Sequence, residues 1–126
     1  MIDIAKLRKL MIRIEGQKGR FTLFGLFLRE DSPGKWDLVL AAPWLEKGKL
    51  KALGEFVKEV SETFGEEDIL SLSRIVTLNH NDPALQAILK EVGSVGKTLE
   101  RWGRDLFGLS IEHAYIFRTK QEKIAA

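Results

Sequence analysis

Cysteine is missing altogether. That removes disulfide frameworks, thiolate metal sites and cysteine nucleophiles at once, and a cytoplasmic location is expected. No apolar run approaches the ~20 residues needed to span a bilayer. The N-terminus is not a signal-peptide core either, because Asp3, Lys6, Arg8 and Lys9 interrupt its apolar residues. A strong charge of one sign is also lacking: the formal net charge is +2, with 20 basic and 18 acidic side chains. Dedicated nucleic-acid binders are usually more lopsided. No internal repeat or low-complexity linker breaks the chain. What is present is a globular balance, 44% hydrophobic and 30% charged over 126 residues, which suits a single domain spanning 1–126.

Hydrophobic spacing gives the elements. Ile4, Leu7, Met11 and Ile14 share one face of a first helix within residues 1–16, with Asp3 as its cap and Gly16 as its end. As a terminal element, this helix is free to pack across a two-fold axis, so a homodimer is expected. Two strand-like runs follow, "RFTLFGLFLRE" and "KWDLVLAAP", joined by the turn formers of "DSPGK". The first is apolar on both alternating faces and is placed inside the sheet. Leu50, Leu53, Phe56, Val57, Val60 and Phe64 then mark a second helix ending at Gly65, with "GEED" as a loop. Residues 69–78 form a third strand. Asp82 and Pro83 start a helix carrying Leu85, Ile88, Leu89 and Val92. A further helix is predicted from Val95, Leu99, Trp102 and Leu106, and "SIEHAYIFR" is the last strand. Residues 119–126 are expected to fray. The expected class is α+β, a mixed four-stranded sheet of a hairpin plus two later strands joined through helices, in the order αββαβααβ.

"GSVGKT", residues 93–98, ends like a phosphate loop. Such a loop needs glycine where Glu91 stands, and a strand before it, whereas "PALQAILKEV" has helical periodicity. No nucleotide site follows, and no cofactor is expected. Lys97 would share a helical face with Arg101 and Arg104, and Lys6, Lys9 and Arg13 repeat the pattern on the first helix. These six are the candidate contacts for an anion or nucleic acid, with solvated faces as the plain alternative.

"NHNDP", residues 79–83, is the densest polar cluster. His80 could serve as a general base with Asp82 beside it, although a turn and helix cap need the same Asn, Asp and Pro. His113 lies among apolar neighbours, which suits a packed, hydrogen-bonded core residue. No histidine pair one helical turn apart and no Gly-x-Ser-x-Gly turn occurs, so neither a metal site nor a serine hydrolase is expected. The element order resembles that of the restriction-endonuclease-like nucleases, which implies an acid on the hairpin and a Glu-x-Lys pair in the next strand. Asp37 stands where the first is needed; Glu46 and Lys49 have the wrong spacing and follow the strand end, so the resemblance covers order alone.

Two functions follow. The first is a non-catalytic binding or protein-interaction domain, expected because no convincing catalytic constellation is present. The alternative is a phosphate-handling, nuclease-like enzyme in which His80, Asp82 or Asp37 does the chemistry and the basic stripes hold the backbone.

Overall fold

The structure, a computed structural model, describes residues 2–120 apart from the Lys49 side chain. It is α+β. The elements are α1 (Ile4–Lys18), β1 (Leu23–Arg29), β2 (Trp36–Ala41), α2 (Pro43–Thr63), α3 (Glu66–Leu70), β3 (Leu72–Thr77), α4 (Pro83–Val92), β4 (Leu99–Trp102), a 3-10 turn at Leu106–Gly108 and β5 (Ile111–Thr119).

The sheet has five strands, not four, in the order β3-β2-β1-β5-β4. β1 pairs antiparallel with both β2 and β5, β4 with β5, while β3 runs parallel to β2. β1 is the middle strand, as its two apolar faces demand. The fifth strand is β4, which replaces the helix expected around Val95–Leu106. The four-and-three spacing of its apolar residues is compatible with a helix, but Gly93, Gly96, Gly103 and Gly108 bracket a run of only a few residues. Each glycine in a helix interior costs about 1 kcal/mol relative to alanine. Pairing with β5 satisfies the same backbone without that cost.

Other boundaries shift for local reasons. α1 runs past Gly16 to Lys18 and closes at Gly19, whose φ of 117° suits glycine. Asp3 caps it by accepting from the Lys6 amide at 3.0 Å. "GEED" is not a loop but the start of α3, whose first turn holds Glu66, Glu67 and Asp68, where the positive end of the helix dipole favours acids. Thr119 and Lys120 are not frayed: Thr119 is buried at the end of β5, and the Lys120 amide donates to Thr22 O at 2.9 Å. The rest of the expected tail lies outside the described residues.

Two cores sandwich the sheet. On one face α1 and α2 bury Leu7, Leu10, Met11, Ile14, Phe56 and Val60 against Phe24, Leu26, Leu38 and Phe117. Each such side chain contributes about 1.5–3 kcal/mol by leaving water. The α1 face expected to lie across a two-fold axis is therefore consumed inside the chain. Glu15 and Arg118, both mostly buried, pin α1 to β5 with Nη2–Oε1 at 3.0 Å. On the other face, the short α4 sets Leu85, Ile88 and Leu89 against Leu23, Val39, Ala41, Ala114 and Ile116. A register shift between Leu28 and Arg29 moves Ile111 to this face, away from His113 and Tyr115, with which strict alternation along β5 would group it.

Candidate functional site: a pocket beside Asp37

Ten residues of α4 and the Leu106–Gly108 turn do not cover all of a five-stranded sheet. A hollow of about 160 Å³ remains over β2 and β3. Its walls are apolar, from Val39, Val76, Leu78, Ile88, Leu109 and Ile111, and its polar end is formed by Arg29, Asp37 and Arg74.

Alternation along β2 aims Asp37 at this face, because Trp36 and Leu38 on either side belong to the α1–α2 core. Its register partners are Phe27 in β1 and Arg74 in β3. The Asp37 side chain is 5% exposed. Arg74 Nε donates to Oδ2 at 3.2 Å. Arg29 Nε approaches the same oxygen at 2.9 Å, with its N–H off line. Both Arg29 Nε and Asp37 Oδ1 consequently lack a hydrogen-bond partner, and they are the buried side-chain polar atoms of the described residues left in that state. Leaving a buried donor or acceptor unsatisfied costs about 1–3 kcal/mol. Two guanidinium groups also meet one carboxylate here, so the polar end is net cationic; the exposed Asp31 lies 3.4 Å from Arg29 Nη1.

The segment flanking the hollow at Leu109 is held in unusual backbone conformations. Asp105, Phe107 and Ser110 all have positive φ, at 48°, 58° and 56°. Non-glycine residues in this region cost of order 1 kcal/mol or more each, and such positions gather at ligand clamps and active sites. Glu30 holds the segment: its Oε1 accepts from the Asp105 amide at 2.9 Å, and its own amide donates to Ser110 O at 3.0 Å.

A second polar cluster lies on the opposite face. Glu100 and Trp102 of β4 stand opposite Tyr115 and His113 of β5. His113 Nε2 sits 2.7 Å from Glu100 Oε2, and the Trp102 ring stacks on the imidazole with centroids 3.4 Å apart. Trp36 closes the other side at 4.9 Å. Trp102 is thus not a core residue of a helix; it is 71% exposed and shields the histidine. Hydrogen bonds from His113 and then Tyr115 hold Glu100 below the ordinary carboxylate range. Burial, aided by Glu100, pushes the Tyr115 hydroxyl up. His113 is, as expected, a packed and hydrogen-bonded residue.

The residues singled out in the sequence do not converge. His80 and Asp82 follow the C-terminal end of β3, whereas Asp37 pairs with Arg74 three residues before the strand's end. At ~3.3 Å per residue that is roughly 10 Å of strand. His80 Nδ1 lies 2.9 Å from Glu46 Oε1, whose carboxyl it lowers, and Gln86 donates to its carbonyl. Asp82 caps α4, accepting from the Ala84 amide at 2.8 Å. The loop is a turn and a helix cap tied to α2.

"GSVGKT" connects a helix to a strand, the reverse of a phosphate loop. Gly93 closes α4, Val95 bridges Thr119, and Thr98 Oγ1 and Gly96 O accept from Arg8. The helical stripe of Lys97, Arg101 and Arg104 does not exist, since Arg101 is in β4 and the other two are in the turns around it. Arg101 pairs with Ala114, which faces α4. Lys6, Lys9 and Arg13 are on α1, across the sheet; Lys6 lies over the Phe64 ring and Arg13 is bound by Glu59 at 2.9 Å. The two basic stripes therefore form no single track. A denser basic region lies elsewhere, in a hollow of about 300 Å³ where Lys18, Arg20, Lys47 and Lys120 converge near Trp44. Its members are scattered along the sequence, and only the fold assembles them.

Among the described residues no group of three or more His, Asp or Glu converges in a way that could hold a metal ion, and no helix is long and apolar enough to cross a membrane. Comparison of the chain with protein-family models, with curated proteins and with solved structures gives no match.

Proposed function

We propose that the chain is a non-catalytic binding domain whose ligand enters the pocket beside Asp37. The observation that carries this reading is an apolar hollow with three charged side chains, Arg29, Asp37 and Arg74, gathered at one end. A small pocket with a few convergent polar groups is the common form of a ligand site. The lining holds no histidine, serine, threonine or lysine, so Asp37 has neither a nucleophile to activate nor a partner for proton transfer. Binding is accordingly favoured over catalysis. The phosphate-handling alternative rested on two helical basic stripes, and one of them is a strand and its turns.

In this proposal a homodimer forms through α2, not α1. Leu50 is 84% and Val57 40% exposed on α2, and Leu50 lines a hollow with Thr77 at the end of the edge strand β3. Gly54 lies between them at helical spacing, and, the helix's own backbone and its chain neighbours aside, none of the described residues comes within 4 Å of the Cβ it lacks. Antiparallel packing of α2 on a second copy would oppose the two helix dipoles.

Ligand-observed NMR of a small-fragment collection tests the binding site. Fragments should bind the unmodified chain and lose most of their affinity for Asp37→Asn. Equal binding to both proteins would place the ligand elsewhere.

A further inference from the structure

The basic hollow beside Trp44 is assembled from three separate stretches of chain. Lys18 and Arg20 flank the end of α1, Lys47 lies near the start of α2, and Lys120 follows β5. Two hydrogen bonds tie these stretches together: Trp44 Nε1 donates to Gly19 O at 3.1 Å, and the Lys120 amide donates to Thr22 O at 2.9 Å. Among the described residues no acid lines the hollow. The acids of the adjoining elements are engaged elsewhere, Glu15 with Arg118 and the Phe21 amide, and Glu46 with His80. Lys18 is taken by Glu55 at 2.8 Å, but the side chains of Arg20, Lys47 and Lys120 have no ion-pair or hydrogen-bond partner among the described residues. α2 starts at Pro43 in the same wall with no side-chain cap, so the positive end of its dipole adds to the field.

Thr22 supplies a directional group. It is 7% exposed and lines the hollow, and its hydroxyl has no hydrogen-bond partner among the described residues. Unlike Asp37 Oδ1 and Arg29 Nε, that hydroxyl is not sealed from solvent, so a group in the hollow reaches it. An acceptor oxygen there satisfies a polar group that the fold leaves unpaired. A tetrahedral oxyanion presents oxygens toward cations on several sides at once, whereas a carboxylate presents two in one plane. At the ~30 Å³ that a water-sized group occupies in a liquid, the hollow of about 300 Å³ takes about ten non-hydrogen atoms. A single phosphate, with about five, half fills it; two linked phosphoryl groups, with about nine, fill it.

We propose that this hollow is a site for a diphosphate group, free or carried by a nucleoside. Its oxygens face Arg20, Lys47 and Lys120, and one accepts from the Thr22 hydroxyl. The site shares no lining residue with the pocket beside Asp37 and stands or falls independently of it.

Calorimetric titration of the full chain with inorganic pyrophosphate, inorganic phosphate, citrate and ADP at roughly physiological salt tests the proposal. Pyrophosphate should bind saturably, about tenfold or more tighter than phosphate or citrate. Thr22→Val removes only the unpaired hydroxyl and should weaken pyrophosphate about tenfold. Arg20→Gln with Lys47→Gln, at exposed positions that leave the fold intact, should weaken it more. ADP binding as tightly as pyrophosphate identifies a nucleoside diphosphate as the source, and pyrophosphate binding alone identifies the free anion. Phosphate or citrate matching pyrophosphate, pyrophosphate binding unchanged in Thr22→Val, or no binding of pyrophosphate and ADP would overturn the proposal.

Discussion

Asp37 and Arg74 face each other across the parallel pair β2–β3, with Arg74 Nε 3.2 Å from Asp37 Oδ2 and Asp37 Oδ1 left without a partner. The two ends of this pair differ in burial, 5% against 56% exposed. Removing the buried end leaves Arg29 with only the exposed Asp31, whereas removing the exposed end leaves Asp37 still beside Arg29. Asp37→Ala should therefore cost about 2–4 kcal/mol. Arg74→Ala should cost less than about 1 kcal/mol. Urea unfolding of both variants measures the difference, and equal losses would contradict this account of the pair.

Tyr115 is the single tyrosine, so ultraviolet absorbance reads its ionisation directly. Burial first, and Glu100 second, raise its pKa above the ordinary 10.0. The titration midpoint should lie above that value and move partway back in Glu100→Gln, since burial remains. Because the folded value is raised, the stability held by the neutral phenol is complete below pH 10.0 and is lost as pH rises through the folded value. Glu100 behaves oppositely. Its folded value lies below 4.5, so its contribution is present above pH 4.5 and is lost as pH falls through the lower value. The melting-temperature gap between the unmodified chain and Glu100→Gln should close as the solution is acidified. A gap that widened in acid would show that the His113 and Tyr115 hydrogen bonds do not favour the ionised carboxylate.

Nucleic acid should bind weakly. With basic residues divided between the two faces of the sheet and Arg13 held by Glu59, oligonucleotide binding at low salt should nearly vanish at roughly physiological salt. What remains should fall in Arg20→Ala with Lys47→Ala, and stay unchanged in Arg101→Ala with Arg104→Ala. Tight, salt-resistant binding lost in the second pair would restore the phosphate-handling reading.

Assembly through α2 predicts a dimer mass by light scattering in the micromolar range, reduced to a monomer by Leu50→Glu. Since Leu50 is 84% exposed within the chain, that change should leave the folded protomer intact. A monomer mass for the unmodified chain at all concentrations would end the dimer proposal.

Much of the fold was legible because its signals are local. The apolar faces of β1, the turn formers before β2, the Asp3 cap and the Asp82–Pro83 start of α4 all announce themselves within a few residues. β4 was hidden because Val95, Leu99, Trp102 and Leu106 happen to fit a helical period; the glycines around them were the contrary signal. The apolar stripe of α2 divides in the fold: Phe56, Val60 and Phe64 are buried, whereas Leu50 and Val57 are exposed. The site was the least legible part. Asp37 stands out in the sequence as the hairpin acid, yet its setting depends on Arg74, 37 residues away and brought beside it by the parallel register, and on a hollow beside α4. Neither relation has a sequence period.

The most direct test is methyl NMR of the full chain titrated with the tightest-binding fragments of the small-fragment collection. The account predicts that methyl signals of Val39, Val76, Leu78, Ile88, Leu109 and Ile111 shift together and saturate, while those of Leu7, Leu10 and Ile14 on the opposite face stay still. The same shifts should disappear in Asp37→Asn. Unmoved pocket methyls, or shifts that persist without the Asp37 carboxylate, would contradict it.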